Sequence, residues 1–475
     1  GDSLSVSNVQ VVGADASVTD NGDGAWTITP VVDFSGSVSV TYDVSDGTAT
    51  ASGNLDVTVM MGGGSAGGGS EFQVNSYAAS SQNHPSVTAL PDGGFVVTWE
   101  GYYQDGSSFG IFGQRYDTSG APLGSEFQVN SYTQSNQRYP SVAALSDGGF
   151  VVAWQSENQD GDGYGIFGQR YNATGVSDGN EFQVNSYTTS TQNHPSVSGL
   201  SDGGFVVAWQ SVDQDGNGYG GVGQRYDASG VSVGSAFQIN TDTQDVNYYP
   251  SITALSDGGF VATWQSVGQD GNGYEVFGQR YDASGTPTDS AFQVNSHTAN
   301  TQSHSSVAAL PDGGFVVTWI SQNQDGDGYG VFGQRFDAIG APDGSEFQVN
   351  TNTQDDQRYP SVAALSDGGF LVTWGSNNQD GGDWGIFGQR YDASGAPLVS
   401  EFQVNSYTTG TQNHSSVTAL PNGGFLVTWQ SEGSQDGSGT GIFAKIFEAS
   451  SELRGTDGND ILVGGNDDDI LNGGD

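Results

Sequence analysis

The segment QDGDGYGIFGQR, residues 159–170, combines residue types and spacings that could bind a cofactor or a metal. Its glycines have the G-x-G-x-x-G spacing of a dinucleotide-binding loop, and Asp160 and Asp162 have the spacing that opens an EF-hand. A dinucleotide loop leads into a helix, but IFGQRY has the composition of a strand. An EF-hand has a bidentate Glu at its twelfth position, where this chain has Tyr171. Two interpretations stay open: an Asx turn, or a weaker calcium site.

This segment recurs in a repeat with a period of 55 residues. The pentapeptide EFQVN, or a near copy, begins at Glu71, Glu126, Glu181, Ala236, Ala291, Glu346 and Glu401. Each copy contains four apolar runs of strand length, such as PSVAAL, GFVVAW, GIFGQRY and EFQVN, separated by turn residues. The pattern predicts an all-β fold, a seven-bladed β-propeller of four-stranded antiparallel blades. Because the array begins with an isolated fourth strand, that N-terminal strand is expected to complete the last blade and close the ring.

One face of the predicted propeller carries the candidate ligand-binding residues. In an antiparallel meander the loop after the second strand and the loop after the fourth strand share a face, and binding residues concentrate on such loops. There an Asp and an aromatic residue recur: Asp105 and Phe109, Asp160 and Tyr164, Asp215 and Tyr219, Asp270 and Tyr274, Asp325 and Tyr329, Asp380 and Trp384. An aromatic ring beside polar groups can bind a sugar. Packing against the adjacent blade is the alternative, and weak calcium binding is considered for Asp160, Asp162, Asp325 and Asp327.

Three further positions recur in every copy. The second strand ends in a Trp that can fill the wedge between blades: Trp99, Trp154, Trp209, Trp264, Trp319, Trp374 and Trp429. A basic residue on the third strand is expected to pair with a carboxylate: Arg115, Arg170, Arg225, Arg280, Arg335, Arg390 and Lys445. His and Tyr alternate before the first strand, where they could surround the axial channel: His84, Tyr139, His194, Tyr249, His304, Tyr359 and His414. A metal site is disfavoured there, since histidines in alternate blades are far apart.

Composition and the uniformity of the copies favour a module that is not an enzyme. The sequence has 54 acidic and 10 basic residues, a net charge of −44, which repels nucleic acid and attracts divalent cations. No apolar run is long enough for membrane insertion. The copies look interchangeable, with no acid pair confined to one blade, no Ser-His-Asp arrangement and no Cys. One asymmetric catalytic centre is therefore not expected.

The flanking segments resemble two known families. Residues 1–59 have alternating strand patterns similar to the cadherin-like, immunoglobulin-type domains of bacterial surface proteins, and residues 60–70 are a Gly/Ser linker before the propeller at 71–451. Residues 452–475, with GTDGNDILV and GGNDDDILN, resemble the RTX calcium-binding nonapeptide repeats that begin a parallel β-roll. The resemblance implies Ca²⁺ binding by Asp457, Asn459, Asp460, Asn466, Asp468 and Asp469.

Together these resemblances imply part of a longer RTX-type adhesin that a Gram-negative bacterium exports by type I secretion. The expected location is extracellular or at the cell surface. The expected function is a non-enzymatic, calcium-associated module that binds a glycan or a host or neighbour-cell surface ligand. The alternatives are a structural spacer and, third, a secreted hydrolase.

Overall fold

The computed structural model describes five strands between residues 5 and 59 and then residues 69–448, except for 217, 241–245, 269–272 and 434. The regular elements of these residues are all β-strands, and none of the described residues forms a helix that could cross a membrane. The chain divides into two compact units, of which the larger is Ser70–Ile446. The RTX-like residues 452–475 lie outside the described residues, so their predicted β-roll stays a prediction.

The N-terminal strands form two antiparallel sheets. The strands are β1 (Ser5–Val12), β2 (Ala16–Asp20), β3 (Trp26–Pro30), β4 (Gly36–Ser45) and β5 (Thr50–Val59). One sheet has the order β1-β4-β5, and β2 pairs with β3. Alternating apolar and polar residues in β4 favour a strand with one buried face, and Val40 is buried.

The larger unit is the seven-bladed propeller that the repeat predicts, with four antiparallel strands in each blade. Blade 1 contains β7 (Gln82–Ala89), β8 (Phe95–Tyr102), β9 (Phe109–Tyr116) and β10 (Pro122–Gln128), and blade 2 contains β11 (Gln137–Ala144), β12 (Phe150–Glu157), β13 (Tyr164–Tyr171) and β14 (Ser177–Gln183). Blade 3 contains β15 (Gln192–Gly199), β16 (Phe205–Val212), β17 (Tyr219–Tyr226) and β18 (Ser232–Gln238), and blade 4 contains β19 (Asn247–Ala254), β20 (Phe260–Val267), β21 (Tyr274–Tyr281) and β22 (Phe292–Gln293).

The remaining blades repeat this arrangement. Blade 5 contains β23 (Gln302–Ala309), β24 (Phe315–Gln322), β25 (Tyr329–Phe336) and β26 (Pro342–Gln348), and blade 6 contains β27 (Gln357–Ala364), β28 (Phe370–Asn377), β29 (Trp384–Tyr391) and β30 (Phe402–Gln403). Blade 7 contains β31 (Gln412–Ala419), β32 (Phe425–Ser431), β33 (Gly441–Phe447) and, from the start of the array, β6 (Phe72–Gln73). The N-terminal strand therefore completes the last blade, which confirms the predicted closure.

The apolar second and third strands of each blade are buried on both faces because they lie between neighbouring blades. The cluster between blades 2 and 3, for example, joins Ala153 and Ile166 of one blade to Phe205 and Trp209 of the next. The seven tryptophans that end the second strands are each at most 2% exposed. They fill the wedges between the sheets, as predicted from their position at the end of the second strand.

The turn between the first two strands of each blade requires glycine and anchors the recurring arginine. Gly148 has a φ of +88°, and a Cβ on Gly149 would lie 2.2 Å from the carbonyl oxygen of Tyr171. The carboxylate of Asp147 in this turn accepts a hydrogen bond from the amide of Gly149 and pairs with Arg170. Equivalent Arg–Asp pairs occur in blades 1 to 6. In blade 7 the turn has Asn422 in place of the Asp.

A closed belt of hydrogen bonds joins the inner strands of neighbouring blades. The hydroxyl of Ser86 accepts a hydrogen bond from the amide of Val142 at 3.2 Å, and the hydroxyl of Ser416 accepts one from Val87 at 3.3 Å, between the last and first blades. The other five serines are Ser141, Ser196, Ser251, Ser306 and Ser361. In each inner strand the belt gives one backbone N–H group a hydrogen-bond acceptor that its own blade does not provide.

The closing strand can be tested by shortening its buried side chain. Val74 is 5% exposed and its amide donates to the carbonyl of Ile442 in β33 at 2.8 Å. We expect Val74→Ala to lower the free energy of unfolding by about 2 kcal/mol, as a cavity in a packed core does. Val184→Ala, the equivalent change in blade 2, should match it, and the exposed Val399→Ala should change little. Denaturant unfolding measures all three, and a Val74→Ala protein as stable as Val399→Ala would contradict closure by this strand.

Candidate functional site

Seven aromatic side chains form a ring around the propeller axis, which we call the axial ring. Its members are His84, Tyr139, His194, Tyr249, His304, Tyr359 and His414, one from the first strand of each blade. Neighbouring ring centroids are 4.3 to 5.7 Å apart. Because seven is odd, the alternation fails once, and His84 and His414 are in contact with centroids 4.8 Å apart. The ring and the Pro and Ser residues that follow it line a pocket of about 340 Å³.

The backbone of the first strands is distorted to place these side chains. All seven have a positive φ, between 48° and 57°, a conformation that costs roughly 1 to 3 kcal/mol for a residue with a Cβ. Each lies at an irregularity in the pairing with the second strand, as between Asn83 and Ser86 in blade 1. Such bulges redirect side chains next to functional sites. Because the strain recurs in all seven blades, it indicates that the fold specifically positions the axial ring.

A side chain from the second strand of the preceding blade supports most members of the ring. The amide oxygens of Gln155, Gln210, Gln265 and Gln430 accept hydrogen bonds from the backbone N–H groups of His194, Tyr249, His304 and His84 at 3.0 to 3.1 Å. In blade 1 this cap position is Glu100, which accepts from Tyr139 at 3.1 Å. Blades 5 and 6 have Ile320 and Gly375 there. The blades therefore differ at a position directly beneath the ring.

Glu100 is the centre of a charged cluster beside the axial ring. The carboxylate is fully buried and lies 3.0 Å from Nδ1 of His84 and 2.8 Å from Nη2 of Arg138. Burial alone would raise the pKa of Glu100, but the hydrogen bonds and charges of His84 and Arg138 lower it to about 2. A carboxylate that holds Nδ1 of an imidazole keeps the proton on that nitrogen. The Nε2 atom of a neutral His84 is then free to accept a proton.

Two arginines lie beside the axial ring of this acidic protein. Of the ten Lys and Arg residues, seven occupy the recurring third-strand position and Arg454 lies outside the described residues. The remaining two, Arg138 and Arg358, each precede a Tyr of the axial ring. The Arg138 guanidinium lies 4.6 Å from the ring centroid of Phe109, and that of Arg358 lies 4.3 Å from Tyr329. Each of these guanidinium groups is paired with a carboxylate, Arg138 with Glu100 and Arg358 with Asp356.

The predicted aromatic positions lie beside the axial ring. Phe109 and Tyr329 lie under the two arginines, and Tyr219 and Tyr274 lie 4.9 and 5.9 Å from the ring of Tyr248. Tyr164 is half-buried, and burial raises its pKa. Trp384 is half-buried and packs against Gly375, since a Cβ added to Gly375 would lie 3.3 Å from the tryptophan ring. Five of these six side chains thus pack against neighbouring residues, which leaves their predicted sugar binding a prediction.

The predicted aspartates accept hydrogen bonds within their own blades. Asp160, Asp325 and Asp380 accept from Asn185, Asn350 and Asn405 of the EFQVN strand at 2.9 to 3.1 Å. Asp105 accepts from the amide of Ser107, as in an Asx turn, and Asp215 accepts from the side chain of Gln238, both at 3.0 Å. Asp270 lies outside the described residues.

The predicted calcium ligands do not form clusters in the part of the chain that the structure describes. Asp162 accepts from the amide of Ser190 at 2.9 Å and Asp327 from that of Asp355 at 3.3 Å. Among the described residues no group of three or more His, Asp or Glu side chains could hold a metal ion. The RTX-like ligands Asp457, Asn459, Asp460, Asn466, Asp468 and Asp469 lie outside those residues. Calcium binding by either set stays a prediction.

The sequence reasoning missed Glu100, Arg138 and Arg358 because it sought residues that recur in every copy. The signal was present in the departures from the repeat. The cap position reads Glu, Gln, Gln, Gln, Ile, Gly and Gln through the blades, and the position before the axial ring reads Asn, Arg, Asn, Tyr, Ser, Arg and Asn.

Comparisons with known proteins identify the N-terminal domain and the fold. Residues 1–60 match the family model of the cadherin-like domain. No curated protein matches the chain. A fungal alcohol oxidase in complex with copper has a TM-score of 0.51 at 11% identity, covering 84% of this chain and 79% of its own. An ulvan lyase, a polysaccharide lyase bound to -[GlcA(1-4)Rha3S]-, has a TM-score of 0.49 at 11% identity over 80% and 96%. A leech intramolecular trans-sialidase has a TM-score of 0.43 at 10% identity over 94% and 92%.

The predictions of a non-enzymatic adhesion module and of a spacer are wrong, because the solved propellers of similar fold include an enzyme, the fungal alcohol oxidase. The premise of those predictions also fails in the structure, since Glu100 and Arg138 make one asymmetric centre among seven similar blades. At 10 to 11% identity the likeness itself shows the fold alone.

The buried histidines of the axial ring make stability depend on pH. Burial, with charges from neighbouring His and Arg residues, lowers the pKa of His194 and His304 to about 4 and that of His414 to about 3. The unfolded chain takes up these protons near pH 6.5 and the folded chain does not, so stability is lost as the pH falls from 6.5 towards 4. We expect His194→Tyr with His304→Tyr to reduce this loss, measured as melting temperature against pH. His297→Tyr, outside the ring, is the control, and an unchanged pH dependence in the double variant would contradict the assignment.

The two interpretations of the QDG loop predict different effects of Asp160→Ala. If Asp160 is a turn residue, its loss leaves the side-chain amide of Asn185 without this acceptor. Because that amide keeps two other acceptors, in Tyr187 and Gln192, the change should cost about 0.5 to 1.5 kcal/mol of stability, whether calcium or a chelator is present. If Asp160 binds calcium, the cost should appear only with calcium. Melting temperatures in both conditions separate the two, with Asp162→Ala as the matched variant in the same loop.

Proposed function

We propose that the chain is a carbohydrate-active enzyme that cleaves an acidic polysaccharide by β-elimination in the axial pocket. The observation that carries this proposal is the cluster of His84, Glu100 and Arg138. It holds an imidazole of the axial ring, which lines a pocket of about 340 Å³, against a permanent carboxylate and a guanidinium. The glycan that the aromatic positions predict as a ligand would bind in this pocket as the substrate.

An acidic sugar suits this set of groups. In a uronic acid the carbon next to the carboxylate carries a proton that becomes acidic once the carboxylate charge is neutralised. A positioned imidazole is a suitable base for such a proton near neutral pH. Arginine binds carboxylates through parallel hydrogen bonds, so a guanidinium beside the axial ring can hold the acidic group of such a sugar.

The proposed step moves one proton to His84 and supplies one to the leaving oxygen. Nε2 of His84 removes the proton from the carbon next to the carboxylate. The electron pair of that C–H bond forms a C=C double bond, and the bond from the adjacent carbon to the glycosidic oxygen breaks. That oxygen takes a proton from the hydroxyl of Tyr139, whose ring lies 4.4 Å from that of His84. Burial raises the pKa of Tyr139 despite the opposing charge of Arg138, so the hydroxyl is protonated at neutral pH.

The carboxyl groups available beside the axial ring favour elimination over hydrolysis. Most glycoside hydrolases need two carboxyl groups, one of which is protonated and donates to the leaving oxygen. Among the described residues Glu100 is the carboxyl group bonded to the axial ring side chains, and its pKa of about 2 keeps it ionised. It can orient His84 but cannot act as a general acid at neutral pH. Calcium binding by the RTX-like residues and an extracellular location stay predictions from the resemblance, and the proposed step depends on neither.

The repeat supplies conservative variants that test this proposal. Glu100→Gln installs the residue that blades 2, 3, 4 and 7 have at the cap position, and His84→Tyr installs the other residue type of the axial ring. Both proteins should fold. We expect each to lose about 100-fold or more in kcat on acidic polysaccharides, the contribution of a positioned base. The ultraviolet absorbance of the new double bond reports the reaction.

Glu157→Gln serves as the control, because it removes a carboxylate from the same face without touching the axial ring. Mass spectrometry of the products gives a second reading, since elimination adds no water across the broken bond and hydrolysis adds one molecule. Water in the products, or full activity of both His84→Tyr and Glu100→Gln, would refute the elimination mechanism. No cleavage of any acidic polysaccharide by the unaltered chain would refute the proposed function itself.

A further inference from the structure

We propose that Arg358 and Tyr329 form a second subsite beside the axial ring, which binds the acidic group of a sugar next to the one that is cleaved. This inference rests on the proposed function for the identity of the ligand as an acidic glycan. The assignment of the subsite itself comes from a comparison of Arg358 with its counterpart, Arg138.

The two arginines occupy the same position of the repeat but have different partners. Both belong to the sequence QRYPSVAA, in blades 2 and 6. Arg138 contacts the buried carboxylate of Glu100 through Nη2 at 2.8 Å and through Nε at 3.3 Å. Blade 5 has Ile320 where blade 1 has Glu100, so no carboxylate lies at that position for Arg358. Arg358 instead pairs with Asp356 on its own segment, with Nη2 and Oδ2 2.8 Å apart.

The exposure of the two pairs decides which arginine can bind a ligand. Glu100 is fully buried, and removing a partner from such a pair is costly, so Arg138 is committed to positioning Glu100. In the second pair the side chains of Arg358 and Asp356 are 33% and 27% exposed. Exposed pairs contribute little to stability, so an anion can compete for Arg358 at small cost.

The surroundings of Arg358 fix its orientation and leave donors for a ligand. The guanidinium lies over the ring of Tyr329 at 4.3 Å, a cation–π contact that holds its plane. Asp356 also accepts a hydrogen bond from the amide of Tyr329 at 3.0 Å, so it stays in place when a ligand binds. The side chain of Arg358 is 33% exposed, and its guanidinium has five N–H donors, so it can bind acceptors besides Asp356, such as the oxygens of a carboxylate or sulfate.

The axial ring connects this subsite to the proposed base. Arg358 precedes Tyr359, whose ring stacks on His414 at 4.3 Å, and His414 contacts His84 at 4.8 Å. His84 then contacts Tyr139, which follows Arg138. A glycan that crosses this arc would present one sugar to His84 and a neighbouring sugar to Arg358. The arrangement selects polymers with acidic groups on successive or alternate sugars.

The test compares Arg358→Gln with Arg390→Gln, which removes the same charge from blade 6 at the turn position where Arg390 pairs with Asp367. Calorimetric titration uses three oligosaccharides of equal length: one with carboxylates, one with sulfates and one neutral. We expect Arg358→Gln to weaken binding of an acidic oligosaccharide by about 10- to 100-fold, the value of a hydrogen bond to a charged group, and to leave neutral binding unchanged. The acidic oligosaccharide that loses affinity identifies the group that is bound.

Kinetics separates this inference from the proposed function. On an acidic polysaccharide, Arg358→Gln should raise KM with kcat nearly unchanged, whereas Glu100→Gln should lower kcat. Asp356→Asn removes the internal competitor for Arg358 and should bind acidic oligosaccharides at least as tightly as the unaltered chain. If Arg358→Gln binds them as tightly as Arg390→Gln does, the subsite is wrong even when cleavage proceeds. If no substrate is cleaved, the titrations still decide the subsite.

Discussion

The structure depends on the closure of seven wedge-shaped contacts into one ring. Each blade has two apolar faces, and each face is covered only by the next blade, through clusters such as the one that contains Trp209. Three sets of contacts complete the circle between the last and the first blade: the strand pairing of β6 with β33, the hydrogen bond of Ser416 with Val87, and the contact of His414 with His84. Because no blade can bury both faces alone, stability is shared by the whole ring.

Ring closure also brings reactive side chains together at the propeller axis. Side chains that recur once in every blade meet there in a circle, and an odd number of blades prevents a two-blade pattern from closing evenly. Two histidines therefore become neighbours at the junction of blades 7 and 1. Glu100 contacts one of those histidines, His84, and also Arg138 of blade 2. The site is thus asymmetric in its charges although the backbone around it is nearly sevenfold.

The sequence predicted the fold well because its signals are local and are repeated seven times. Alternating apolar runs, glycine turns and the isolated first EFQVN specify strands, hairpins and closure without any long-range information. The site was predicted poorly for the same reason, since a position that recurs in every blade usually supports the scaffold. Glu100 binds Arg138, 38 residues away and in the next blade, and such a contact becomes visible only when the blades are placed side by side. The aromatic positions such as Tyr329 were found, but their arginine partners were not.

The cap position beneath the axial ring has an evolutionary consequence. Within one molecule it is occupied by Gln, Glu, Ile and Gly, and the wedge cores between the blades are complete in every case. The scaffold therefore places little constraint on this position, although it lies beside the axial ring in each blade. Gene duplication that multiplied the blades thus produced seven equivalent places where one substitution can introduce a charge. A protein built in this way can acquire, lose or relocate a reactive centre without first evolving a new fold.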